Sequence, residues 1–158
     1  MTQTKELYSL LIPTTISLDP GAISTDCDQA LRNAISTVFP DTLSLLCLWH
    51  VNKNIQQYCK PKFSTTEAYN DFFQAWQRIV QSPNIPEYNA QLLQFSTTYS
   101  GTPENKECVQ YIKKTWLKED RREALVQAWT NQYTHFGVTV TSRLVLLLLS
   151  SFTILTVI

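Results

Sequence analysis

The sequence has no surplus of charge. Thirteen Lys and Arg offset thirteen Asp and Glu, so the whole chain exerts no long-range pull on a polyanion, and any nucleic-acid contact must come from a local patch. Acidic residues run out early, with none after Glu123. The cysteines Cys27, Cys47, Cys59 and Cys108 lack the close spacing of a disulfide-stapled secreted domain, and no charged-then-apolar leader opens the chain. Both absences point to a reducing, intracellular setting. No internal repeat or low-complexity linker interrupts the sequence. A hydrophobic content of 44% with 11% aromatics argues against disorder, and 158 residues suffice for one domain with a sizeable core.

The pattern that is present begins as α/β. Met1 to Leu11 reads as the end of a helix, with Leu7, Leu10 and Leu11 on one side. Ala22 to Thr25 reads as a strand leading into Asp26, followed by a helix with Ala30, Leu31, Ala34, Ile35, Val38 and Phe39 at helical spacing, which Pro40 closes. Leu43 to Cys47 is an apolar run of strand length, and from Leu48 a second helix should place Val51, Ile55 and Tyr58 on its inner face, with Trp49 in the core. Strand, helix, strand, helix with short connections implies a parallel unit, in which ligands gather at the carboxyl ends of the strands.

Beyond Cys59-Lys60-Pro61-Lys62-Phe63 the periodicity becomes helical only, and no convincing strand precedes residue 137. Ser64 and Glu67 fit a capping box ahead of the stripe Tyr69, Phe72, Phe73, Trp76, Ile79 and Val80. Pro86 is placed to start a helix with Tyr88, Leu92 and Phe95; Ser100 to Pro103 is a turn; helices over Glu104–Trp116 and Asp120–Tyr133 follow. The expected division is a partial core over 1–63, a large α-helical insertion over 64–137 and an aberrant apolar tail over 138–158, predominantly helical overall. From Leu144 the tail has no charge, and as a helix it would reach roughly 22 Å, short of a hydrocarbon core near 30 Å. A tail anchor through 144–158 is the membrane alternative.

Several residues could carry chemistry. Asp26, at the end of a strand and ahead of a helix, suits a metal ligand, but the same position suits a helix N-cap, a role Asp28 could share. Cys47 and His50, three apart, face one side of a helix, and Cys59 with His135 could complete a zinc set that the spacing does not demand. The plainer reading makes Cys47 a buried small residue and His50 an orienting group. Lys106, Lys113, Lys114, Lys118, Arg121 and Arg122 form the local basic cluster, interleaved with Glu104, Glu107, Glu119, Asp120 and Glu123; it reads more as a solvated helix face than as a DNA-binding patch, for which Lys113, Lys114, Arg121 and Arg122 are the candidates. Trp76, Trp116 and Trp129 are expected in the core rather than as base-stacking platforms.

The run from Thr25 through Asn54 resembles the Mutator-like (MULE) transposase family: Thr25-Asp26, the pairs Ala30-Leu31 and Ala34-Ile35, Phe39-Pro40-Asp41, Cys47-x-x-His50, then a helix with Asn52, Lys53 and Asn54. Trp116-Leu117, Ala128-Trp129-Thr130-Asn131, His135-Phe136-Gly137 and Thr141-Ser142-Arg143 extend the likeness to about residue 143. The resemblance implies a ribonuclease H-like core interrupted by a helical insertion, nuclear localisation, possible homo-oligomers and DNA transposon ends as partner. It also implies strand cleavage and transfer by a DDE triad holding two Mg²⁺ or Mn²⁺ ions, whose charge several carboxylates must offset.

On that pattern Asp26 is the second catalytic aspartate and a metal ligand, while Cys47 and His50 either support the metal ligands from behind or position the DNA end. The first aspartate's strand is not found, and Leu144, Val145 and Leu146 stand where the glutamate should follow Arg143. The expectation is an inactive fragment without productive metal binding, its tail the product of a shifted reading frame. A non-enzymatic DNA-binding or interaction module derived from a transposase is the alternative.

Overall fold

The computed structural model describes residues 21–132 and the strand Ile154–Thr156. Within that range the protein is predominantly helical, with a small parallel sheet. Strand β1 (Ala22–Thr25) leads through helix α1 (Gln29–Val38) to β2 (Leu43–Leu46), and α2 (Leu48–Cys59) follows. A 3-10 turn over Lys60–Lys62 then gives way to α3 (Thr66–Val80), α4 (Ile85–Thr98) and α5 (Pro103–Thr115). Two one-turn helices, α6 (Glu119–Arg122) and α7 (Gln127–Thr130), end the helical region, and β3 is Ile154–Thr156. The expected N-terminal helix, residues 133–137 of the expected insertion with His135, and residues 138–153 and 157–158 of the tail lie outside the described residues.

The strand order is β2-β1-β3, with both pairings parallel. Central β1 is buried at all four positions, as a parallel strand covered on both faces must be. β2 pairs with it in the register Ala22↔Leu43 to Thr25↔Leu46. The outer edge of β2 is covered at Leu46, whose N–H donates to the Ala124 carbonyl at 2.9 Å, so the turn between α6 and α7 satisfies a group that an open edge would leave unpaired. One hydrophobic core runs from Leu46, Val51, Ile55 and Cys59 through α3, α4 and α5 to Ala128. The helical region is thus packed onto the sheet and α2.

Most helix starts obey local chemistry. Asn84 accepts from Glu87 N–H at 2.9 Å with Pro86 in the first turn, and Thr102 accepts from Asn105 N–H ahead of Pro103, so side-chain oxygens satisfy amides the helix cannot. Thr65, rather than Ser64, caps α3 by accepting from Ala68 N–H at 3.1 Å.

Three other expectations are corrected. Trp49 is 51% exposed rather than in the core. Val51, Ile55 and Cys59 set the inner face of α2, and at about 100° per residue a position two before Val51 lies roughly 200° around the helix from it. Tyr58 stands at the rim of that face, Cys59 taking the buried place. The long helix expected over Asp120–Tyr133 is broken into α6 and α7, because the chain between them turns to place the Ala124 carbonyl against β2 and to bury Leu125 and Val126.

Candidate functional site

Parallel pairing in register carries the ends of β1 and β2 to the same edge of the sheet, and the ladder continues one step further: Cys47 N–H donates to the Thr25 carbonyl at 2.7 Å. Asp26 follows one strand and Cys47 the other, so both leave the sheet at its carboxyl edge, where an open parallel sheet presents ligand-binding groups.

The capping ambiguity between the two aspartates is resolved by backbone geometry. Asp28 is extended (φ −70°, ψ 117°) and accepts from Leu31 N–H at 2.7 Å, so it caps α1. Asp26 is solvent-exposed and accepts a long 3.3 Å bond from Asp28 N–H. Its carboxylate therefore faces water with little structural duty.

Cys47 is buried at the N-cap position of α2, and His50 follows in the first turn. The His50 ring meets Trp49 edge-on at 4.8 Å, its Nδ1 buried and unpartnered. Trp49 carries the Lys53 ammonium 5.0 Å from its ring centroid, giving this exposed side of α2 an aromatic and a positive charge. Cys59 cannot join Cys47 and His50 on one metal ion, because it stands at the far end of a helix of 12 residues, about 18 Å away at 1.5 Å per residue. His135 lies outside the described residues. Among the described residues no group of three or more His, Cys, Asp or Glu could hold a metal ion. One exposed carboxylate does not fit a two-metal centre by itself.

The basic cluster is divided in two. Lys113 and Lys114 are exposed in the last turn of α5. Arg121 and Arg122 are instead taken up by packing: Arg121 lies 5.4 Å from the Trp116 ring centroid and donates to the Thr115 carbonyl at 2.8 Å, while Arg122 lies 5.2 Å from that of Trp129, near Glu119 and Glu123. Trp76 and Trp116 are core residues and Trp129 is half-buried. A cavity of about 190 Å³ beside Arg32, Ser44, Asp120 and Glu123 opens at the start of β2, the opposite end from Asp26.

The residues that brace this arrangement were not evident from the pattern. Asn52 Oδ1, on α2, accepts from Trp76 Nε1 at 2.9 Å and Gln77 Nε2 at 3.0 Å, tying α2 to α3. On the other flank of the inner face, Tyr58 O–H donates to Glu107 at 2.6 Å and Lys62 Nζ donates to both its oxygens at 3.1 Å. The Tyr58 and Lys62 bonds hold the Glu107 carboxyl below its usual pKa, and Glu107 in turn raises those of Tyr58 and Lys62. The one sequence signal for Asn52 was its place among the polar residues after Cys47-x-x-His50.

Among known proteins, residues 3–54 match the MULE transposase domain. A stretch of 140 residues is 27% identical to part of the PKS-NRPS hybrid synthetase cheA of Chaetomium globosum, covering 78% of this chain and 3% of that protein. A stretch of 54 residues is 33% identical to part of Protein FAR1-RELATED SEQUENCE 2 of Arabidopsis thaliana, 34% of this chain and 7% of that protein. The chain thus spans a small part of either relative. No solved structure matches. The segment that matches the domain contains β1, β2, Asp26 and the Cys47-x-x-His50 element, so the likeness of this chain to the MULE transposase domain rests on residues 3–54.

Proposed function

We propose that this chain is part of the catalytic core of a Mutator-like DNA transposase, a ribonuclease H-like sheet interrupted by the helices of residues 64–132. In this reading Asp26 is one of three metal-binding carboxylates, and Cys47 and His50 position the DNA end. The supporting observation is the meeting of Asp26 and Cys47 at the carboxyl edge of two adjacent parallel strands, with capping left to Asp28. Partners would be transposon-end DNA and a second copy of the chain, and the setting the nucleus.

In this reading these 158 residues by themselves are not expected to cleave DNA, because one carboxylate, Asp26, cannot offset the charge of two divalent ions and the sequence offers no acidic residue after Glu123. The test is incubation of the purified chain with supercoiled DNA and Mg²⁺ or Mn²⁺. No nicking above a protein-free control is expected. Metal-dependent nicking that Asp26→Ala abolishes would overturn the inactivity while strengthening the role of Asp26.

A second reading, a DNA-binding module without catalysis, draws on exposed Lys113 and Lys114. Removing one lysine–phosphate pairing should lower the slope of log K against log salt by about 0.9, so Lys113→Ala with Lys114→Ala should flatten it by roughly 1.8. An unchanged slope would remove this face from the reading. For the membrane alternative, no helix among the described residues is long and apolar enough to cross a bilayer; most of 144–158 lies outside them.

A further inference from the structure

Cys59 closes α2 and Cys108 lies in α5; both are fully buried in one core where these two helices pack. Neither is in a disulfide. The clasp of Tyr58, Lys62 and Glu107 uses the residues next to them, with the Tyr58 and Tyr111 rings stacked at 4.0 Å, so the approach of the two helices is fixed on the solvent side as well. A buried thiol pair is ordinarily inert packing. Here, however, two thiols from distant parts of the sequence are buried at one helix–helix contact.

We propose that Cys59 and Cys108 are a redox-modification site, forming a reversible intramolecular disulfide that locks α2 to α5. The oxidant is a small disulfide such as oxidised glutathione. The Cys108 thiolate attacks one of its sulfurs, releasing the first glutathione thiol and leaving a mixed disulfide. Cys59 then loses its proton to solvent and attacks the Cys108 sulfur, forming the internal bond and releasing the second. Two protein thiols are oxidised and one glutathione disulfide is reduced to two thiols.

We assign the first attack to Cys108, whose thiol its interaction with Cys59 holds below the usual range, whereas the same interaction, followed by burial, pushes the Cys59 thiol up. Since both thiols are fully buried, the oxidant enters when the clasp opens, and exchange is set by that opening. The consequence concerns α2 as a whole: its first turn carries His50, with Cys47 at its N-cap, and the crosslink would fix its far end to the helical region.

The experiment uses the full chain, incubated with oxidised glutathione, alkylated after denaturation and mapped by mass spectrometry. The expected product links the Cys59 and Cys108 peptides, leaves Cys27 and Cys47 alkylated, and raises Tm by about 10 °C, reversibly with dithiothreitol. Glu107→Gln should accelerate its formation by loosening the clasp, and Cys27→Ser with Cys47→Ser should still form it. Four alkylated cysteines after prolonged oxidation, or a link through Cys27 or Cys47, would overturn the proposal. The mapping is done on the unaltered chain, so it stands even where a Cys108→Ser variant fails to fold.

Discussion

Asn52→Ala should destabilise the protein more than a half-buried polar residue on a helix usually would. The Asn52 oxygen is the hydrogen-bond acceptor for two donors on α3, at 2.9 and 3.0 Å. Trp76 is fully buried, so its indole N–H cannot turn to water once the acceptor is gone, and an orphaned buried donor costs about 1–3 kcal/mol. Gln77 is half-buried and can rehydrate, adding about 0.5 kcal/mol at most.

The sum, about 2 kcal/mol, corresponds to a fall in Tm of roughly 5 °C for a chain of this size. Urea denaturation followed by far-UV circular dichroism would measure it, since fluorescence mixes the signals of four tryptophans. Trp76→Phe, which removes the donor and keeps most of the ring, isolates the cause. In that background Asn52→Ala should cost less than about 1 kcal/mol, a coupling of over 1 kcal/mol between the sites. Equal costs in both backgrounds, or a loss under about 0.5 kcal/mol in the unaltered one, would refute the argument that the buried indole depends on Asn52.

The two aspartates before α1 should separate in the same assay: Asp28→Ala removes a cap and costs about 1 kcal/mol, whereas Asp26→Ala, losing a long exposed bond, should stay within about 0.5 kcal/mol. A costly Asp26→Ala would show a structural duty that the exposed carboxylate does not display. Glu107 gives a pH signature. Its pKa is depressed first by the Tyr58 bond and then by Lys62, so the clasp contributes stability above the ordinary carboxylate pKa and loses it as pH falls through the lowered value. The Tm difference between the unaltered chain and Glu107→Gln should therefore be present at neutral pH and vanish in strong acid. A difference that persists unchanged at about pH 2, below the usual carboxylate range, would show that the carboxylate's charge is not its source.

What the sequence by itself determined was mostly local. Strand β1 ending before Asp26, α1 stopping at Pro40, β2 leading into Cys47, the stripe of α3 and the proline-started α4 all follow from period, breaker and cap within a few residues. For the same reason Asp26 and Cys47 could be placed at strand ends, since parallel pairing then brings them to one edge. Tertiary structure decided the rest. Whether Asp26 or Asp28 caps α1 depends on the backbone angles of a single residue, which composition does not encode. Trp49 is apolar enough for a core but lies on the far side of the helix from Val51 and Ile55. The break between α6 and α7 exists because the edge of β2, far away in sequence, needs the Ala124 carbonyl. Arg121 and Arg122 read as a basic patch until the rings of Trp116 and Trp129 are found beneath them. The meeting of Cys59 with Cys108 likewise rests on the packing of two helices separated by α3 and α4, a long-range pairing that no periodicity within either helix can carry.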